Sequence, residues 1–241
     1  MSLDPPLKTW SFSSLKDFEA CPYRVYLDQV QRVPREEESD DPAHPLQRGN
    51  RVHKEAEDFI QGLGPLTKDL RKFEPELERM RESFEAGTVE VEQQWGYTGD
   101  WCTTTWFESD CQLRVKCDVV EHLDLTTVRI TDWKTGKSMG NEVKHRQQAQ
   151  LYAVAGMLRY PKVVGAEAVM AYTDEGKSVA KTYTRDSLTP LLAGWTRRAA
   201  KMLGAVTFSP KPNRGNCRFC RHRSIEDGGN GACPYAASQT R

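Results

Sequence analysis

The sequence predicts an α/β fold, with a mixed central sheet carrying helices on its faces. Three observations lead there. Residues 88–97 alternate with period two, Val89, Val91 and Gln93 against Glu90 and Glu92, which is the pattern of a strand. Residues 111–123 and 127–134 read as two paired strands around the turn Leu123-Asp124-Leu125-Thr126. Helical segments precede and follow these strands, so the core order is helix, three strands, helix, strand, which suits a sheet covered by helices.

Taken in order, residues 11–30 read as helical, with Ser13 or Ser14 as cap and Asp17 in the first turn. Cys21-Pro22 interrupts this segment, because proline lacks the amide proton a helix needs. Residues 34–46 are acidic, carry three prolines and read as an exposed loop. Val52, Ala56, Phe59 and Ile60 give an apolar stripe to a helix over 47–62, which Gly62-Leu63-Gly64-Pro65 stops. Residues 68–86 form an amphipathic helix on Leu70, Phe73, Leu77, Met80 and Phe84. A further strand is expected over Trp101–Phe107, a helix over 141–159, a hairpin of 165–173 and 177–184 around Asp174-Glu175-Gly176, and a helix over 187–204. The remainder is irregular, basic and rich in cysteine.

The 241 residues suffice for one large domain, and charge is balanced, with 34 Lys+Arg against 34 Asp+Glu. No global basic field drives nucleic-acid binding, so such a role needs a local patch. Lys211, Arg214, Arg218, Arg221 and Arg223 form one, with no acid between 211 and 223. No apolar run reaches the ~18 residues that span a bilayer, and Met1 to Trp10 lacks the pattern of a signal peptide. A cytosolic protein is expected, in which seven cysteines are metal candidates rather than a disulfide framework.

The most informative stretch is Ile130-Thr131-Asp132-Trp133-Lys134-Thr135-Gly136. Asp132 and Lys134, two apart on a strand, share a face. A carboxylate that binds a hard cation, beside an ammonium group, suits phosphodiester hydrolysis. The turn at 123–126 lies nearly midway between Asp118 and Asp132, so the two carboxylates sit across from each other and repel unless a cation lies between them. The plain alternative is two aspartates on a solvated face. His53 and Glu57 share a helix face; a histidine ligand here would favour softer ions such as manganese. Gln148 and Tyr152 share a face of the helix that follows the Asp132 strand.

In this order, Gly-x-x-x-His53, Asp118, Asp132-x-Lys134-Thr-Gly and Gln148-x-x-x-Tyr152 resemble the RecB-like branch of the PD-(D/E)XK nuclease superfamily, in particular the CRISPR-associated RecB-like and AddB-like exonucleases and their phage relatives. The resemblance covers residues from about 11 to 235, and departs at Val115, where the family usually has glycine. It implies a restriction-endonuclease-like core and a single nuclease domain over 1–241, with an N-terminal helical segment at 11–46, the nuclease core at 47–186 and a cluster-binding segment at 187–241. It implies that His53, Asp118, Asp132 and the Trp133 carbonyl bind magnesium or manganese. Lys134 would be the catalytic lysine, and Gln148 and Tyr152 would support DNA and the attacking water. The implied substrate is DNA, single-stranded or with free ends. Recombination or CRISPR-adaptation proteins are the implied partners, in a prokaryotic or phage-infected cytoplasm. A non-catalytic DNA-binding subunit of the same fold is the alternative.

Cys217-Arg218-Phe219-Cys220 is a C-x2-C, a spacing that lets two thiolates grip one metal centre, with Cys233-Pro234 after it and Cys21-Pro22 far upstream. The same nuclease branch carries a [4Fe–4S] cluster on one N-terminal and three C-terminal cysteines, which implies Cys21, Cys217, Cys220 and Cys233 as its ligands. The interval from Cys220 to Cys233 is longer than is usual there and contains His222, so zinc on His222 or on the four cysteines is the alternative. Cys102, Cys111 and Cys117 are expected in core or half-buried positions.

Overall fold

The helices of the computed structural model are α1 (Phe12–Ala20), α2 (Pro22–Val25), α3 (Pro45–Ile60), α4 (Glu74–Glu85), α5 (Glu142–Arg159), α6 (Leu188–Leu203) and α7 (Arg214–Cys217). The strands are β1 (Val89–Tyr97), β2 (Thr103–Thr104), β3 (Leu113–His122), β4 (Thr127–Lys134), β5 (Gly165–Tyr172) and β6 (Lys177–Thr184). The structure describes residues 4–34 and 44–237. It divides into a sheet unit, Ser39–Leu192, and a terminal unit, Met1–Glu38 with Ala193–Arg241.

In the sheet unit the six strands run in the order β2-β1-β3-β4-β5-β6. Only β4 and β5 are parallel; the other neighbours are antiparallel. A parallel pair needs a crossover, and α5 supplies it. Side chains alternate along β4, so its two faces meet different helices. Trp133 joins Val52, Ala56 and Ile60 of α3 and Leu77 and Met80 of α4 in one apolar core with Val89, Val91 and Val119. Phe73 meets the Trp133 ring edge-on at 5.6 Å. Ile130, three residues earlier, faces α5 instead: a Cβ added at Gly156 would lie 2.7 Å from its Cδ1. The Tyr97 hydroxyl donates to the Ala155 carbonyl at 2.7 Å, tying α5 to β1 as well. β6 is exposed along nearly its whole length.

In the terminal unit Trp195 stacks on Trp10 and meets Phe12 edge-on, both at 6.2 Å. Arg198 lies 4.2 Å over the Trp195 ring and forks onto Glu19 at 2.6 and 2.9 Å. A π-helical turn, Tyr26–Val30, follows α2.

Four local expectations change. The α1 cap is Ser11, in a capping box with Ser14, because Ser14 already lies within the first turn. Pro45 is a first-turn helical residue rather than loop, a position that needs no amide proton; the rest of the acidic loop, 35–43, lies outside the described residues. Leu70 and Phe73 precede α4, with Phe73 in a 3-10 turn. The strand expected over Trp101–Phe107 shrinks to Thr103–Thr104, since Trp101 takes a left-handed φ of 68° in the turn before it. Among the described residues no helix is long and apolar enough to cross a membrane.

Because Gly156 is where α5 comes down onto β4, Gly156→Val is expected to overpack this contact and cost about 1–3 kcal/mol. Thermal unfolding followed by circular dichroism checks it; an unchanged midpoint contradicts the close approach.

Candidate active site

The β3–β4 register pairs Val119 with Thr131 and Val120 with Ile130. Continued by one step, it sets Asp118 opposite Asp132 on a shared face. Both carboxylates are buried, at 8% and 3% exposure. Asp118 Oδ2 accepts the Trp133 amide at 2.8 Å and lies 3.1 Å from His53 Nδ1 on α3. Asp132 Oδ1 accepts the Tyr152 hydroxyl at 2.9 Å and the Gln148 amide at 3.2 Å. The Gln148 amide also donates to Tyr152, at 2.7 Å. Asp132 Oδ2 is buried without a hydrogen bond, and its ionic neighbour is Lys134 Nζ at 2.5 Å.

The electrostatics follow from this crowding. Burial, and then the charge of Asp132, push the Asp118 carboxyl up, against the pull of His53 and the Trp133 amide. Burial disfavours charge on His53, but the hydrogen bond to Asp118 and the nearby Asp132 outweigh it and raise the imidazole. Burial beside both aspartates drives the Tyr152 hydroxyl well up, so it stays a proton donor. Val115, where the family expects glycine, is buried in mid-strand opposite Trp95.

Thus the six side chains picked from the sequence, His53, Asp118, Asp132, Lys134, Gln148 and Tyr152, converge. Glu57 does not join them; it pairs with Lys54 on the helix surface. Among the described residues no three His, Cys, Asp or Glu groups already clasp a common metal point.

Residues 9–225 match the sequence pattern of the PD-(D/E)XK nuclease superfamily. The chain belongs to that superfamily. Among solved structures, SSO0001 is similar over 96% of this chain and 88% of its own, at 15% identity and a TM-score of 0.51. An exonuclease candidate from Eubacterium rectale is similar over 89% of this chain and 88% of its own, at 14% identity and a TM-score of 0.51. Likeness at such identity establishes the shared fold. No curated protein sequence matches the chain.

Around these six side chains the structure adds residues that the sequence reading passed over. His145 is buried on α5 with Nδ1 2.8 Å from the Tyr172 hydroxyl. Burial, and then the Lys134 charge, hold its imidazole down to about 4. Its spacing of three from Gln148, on the same helix face, was the available signal. The β5–β6 turn forms a rim. Arg48 bridges Asp69 at 2.9 Å and Asp174 at 2.5 Å. Glu175 accepts the Ser138 amide and hydroxyl, both at 2.8 Å.

Four cysteines of the terminal unit also lie near one another. Cys21, Cys217, Cys220, Cys233 and His222 line one cavity. Cys21 Sγ accepts the Lys211 amide at 3.3 Å and Cys217 Sγ accepts the Ala237 amide at 3.4 Å. Burial raises the Cys220 and Cys233 thiols, and the other cysteines beside them raise both further. Cys233 lies beyond the residues matched to the superfamily pattern. His222 is fully buried with Nε2 3.0 Å from Asp28 and Nδ1 3.4 Å from Asn230, so both ring nitrogens are engaged away from the sulfurs. Of the remaining cysteines, Cys111 and Cys117 are buried as expected, whereas Cys102 is exposed in the turn before β2.

His145 gives this fold an acid sensitivity of defined sign. Above pH 6.5 the imidazole is neutral folded or unfolded. Between 6.5 and about 4 the unfolded chain takes up a proton that the folded chain refuses, so stability falls, and below about 4 this contribution levels off. His145→Gln should therefore lose less stability than the parent between pH 7 and pH 4.5 in urea unfolding; an equal loss shows that another group governs it.

Proposed function

We propose that the protein is a divalent-metal-dependent deoxyribonuclease, acting as an exonuclease on single-stranded or resected DNA, of the RecB-like branch. The observation that carries this reading is the pair of buried carboxylates, Asp118 and Asp132, with Lys134 Nζ 2.5 Å from Asp132. PD-(D/E)XK nucleases generally use magnesium or manganese. The donor types suit such an ion: two carboxylates, the Trp133 carbonyl and the His53 imidazole, with the buried Asp132 Oδ2 facing only the Lys134 ammonium among the described residues. The ion's contribution, when bound, is to polarise the scissile phosphate and acidify the attacking water.

The chain's own groups do the rest. Tyr152 and Gln148 both hold Oδ1 of Asp132. They thereby fix the rotation of the carboxylate and keep Oδ2 facing the ligand position, which makes them positioning residues. The Trp133 amide does the same for Asp118. Lys134 meets the negative charge that grows on the phosphate and orients the nucleophile. The exonuclease candidate from Eubacterium rectale supports the exonucleolytic part of the reading. Action in recombination, repair or CRISPR-type DNA processing, with protein partners from such a system, belongs to the same proposal.

In the terminal unit we assign Cys21, Cys217, Cys220 and Cys233 to a [4Fe–4S] cluster. Their shared cavity and the amides aimed at Cys21 and Cys217 suit thiolates that carry charge. The cluster's role is to clamp chain segments that lie far apart in sequence.

Two outcomes are expected. With magnesium or manganese the protein degrades end-labelled DNA, chelation stops it, and Asp132→Ala and Lys134→Ala each slow it by at least about a hundredfold; variants that cut at the parent rate refute the assignment. Protein purified without oxygen is brown and absorbs at about 400 nm, and Cys217→Ser loses that band; a colourless protein containing zinc refutes the cluster.

A further inference from the structure

His145 stands at the border of the carboxylate site. On α5 it shares a stripe with Gln148 and Tyr152, which both reach Asp132. In the parallel β4–β5 pair Tyr172 stands across from Lys134, so both side chains rise from the same face of the sheet. The Tyr172 hydroxyl meets His145 Nδ1 at 2.8 Å, with the ring centres 5.6 Å apart. The imidazole is thereby set between the start of α5 and the ends of β4 and β5, close enough to Lys134 and Asp132 to feel both charges.

The hydroxyl decides which nitrogen carries the proton. Tyr172 is buried, and burial, followed by the charges of Glu175, Glu142 and Asp132, raises its hydroxyl. It therefore keeps its proton, and among the described residues Nδ1 is the acceptor that meets it. Burial and the Lys134 charge hold the imidazole neutral down to about 4. A neutral ring that accepts at Nδ1 has its single proton on Nε2. Among the described residues Nε2 has no hydrogen-bond partner, and it is not a sealed interior atom as Asp132 Oδ2 is. A neutral donor thus stands unused near the Lys134 ammonium.

We propose that His145 is a further catalytic residue, whose Nε2–H donates to a non-bridging oxygen of the scissile phosphate. Lys134 meets the growing negative charge with a full charge, and the imidazole meets it with a directed hydrogen bond that needs no proton transfer. Tyr172 is the positioning residue, since its hydroxyl fixes both the tautomer and the rotation of the ring. That the phosphate is one of DNA rests on the nuclease reading; the tautomer and the place of the ring do not.

Nitrogen NMR of the full-length protein with isotope-labelled histidine reads the proton, His145 being the signal missing from His145→Asn. At neutral pH the expected ring is neutral and protonated on Nε2, and thymidine monophosphate with magnesium shifts that nitrogen. A ring protonated on Nδ1, or on both nitrogens, overturns the proposal. Cleavage of end-labelled DNA reads the donor. His145→Asn keeps an acceptor for Tyr172 but ends short of Nε2, and kcat falls by about a hundredfold with KM within about twofold of the parent. His145→Gln reaches the Nε2 position with an amide proton and recovers to within about tenfold of the parent. Parent-like cleavage by His145→Asn overturns the proposal, as does an equal or larger loss in His145→Gln, which is the result expected of a ring that only braces Tyr172. A parent that cuts no DNA removes the nuclease reading; the shift with thymidine monophosphate then decides the phosphate contact by itself, and its absence overturns that contact.

Discussion

Two negative charges buried side by side are the constraint around which the sheet unit is arranged. Asp118 and Asp132 project from neighbouring strands onto one face, away from water. Buried carboxylates repel and lose hydration, and the structure tolerates them because each neighbour supplies compensation. A main-chain amide and an imidazole face Asp118. A phenol, an amide side chain and an ammonium group face Asp132. The groups differ in kind: those on Oδ1 of Asp132 are neutral and fix direction, whereas the cation stands at Oδ2. That asymmetry orients one oxygen through neutral donors and holds the other against a cation.

Topology delivers these groups. The antiparallel β3–β4 pair places one carboxylate against the other. The parallel β4–β5 pair forces the chain over the sheet in α5, and that crossover carries Gln148 and Tyr152 back above the strand it has just left. Gly156 lets the helix settle close to Ile130, so hydroxyl and amide reach Asp132 at hydrogen-bonding distance. α3, seated on the apolar core, brings His53.

Much of this was legible in the sequence because it depends on spacing. Asp132 and Lys134 share a face by the pleat, Asp118 opposes Asp132 by the turn between them, and Gln148 and Tyr152 align by the helical repeat. The spacing of His145 from Gln148 was legible and passed over, but its contact with Tyr172 was not, since Tyr172 comes from β5 and no local period announces it. The helical repeat aligned Gln148 with Tyr152 but did not name the Asp132 carboxylate to which both donate. Ser11 and Pro45 were misplaced because cap and first turn differ by one to three residues, within which serine and proline are acceptable on either side. The short β2 depended on a left-handed φ at Trp101, which tryptophan seldom adopts.

The rim around the β5–β6 turn differs in kind from the core beneath it. Arg48 with Asp69 and Asp174, and Glu175 with Ser138 and Lys177, hold the turn through charges that remain partly in contact with water. Mobile ions weaken such pairs and leave buried apolar contacts intact. Raising ionic strength therefore loosens this turn while the apolar core packed under the sheet keeps its hold.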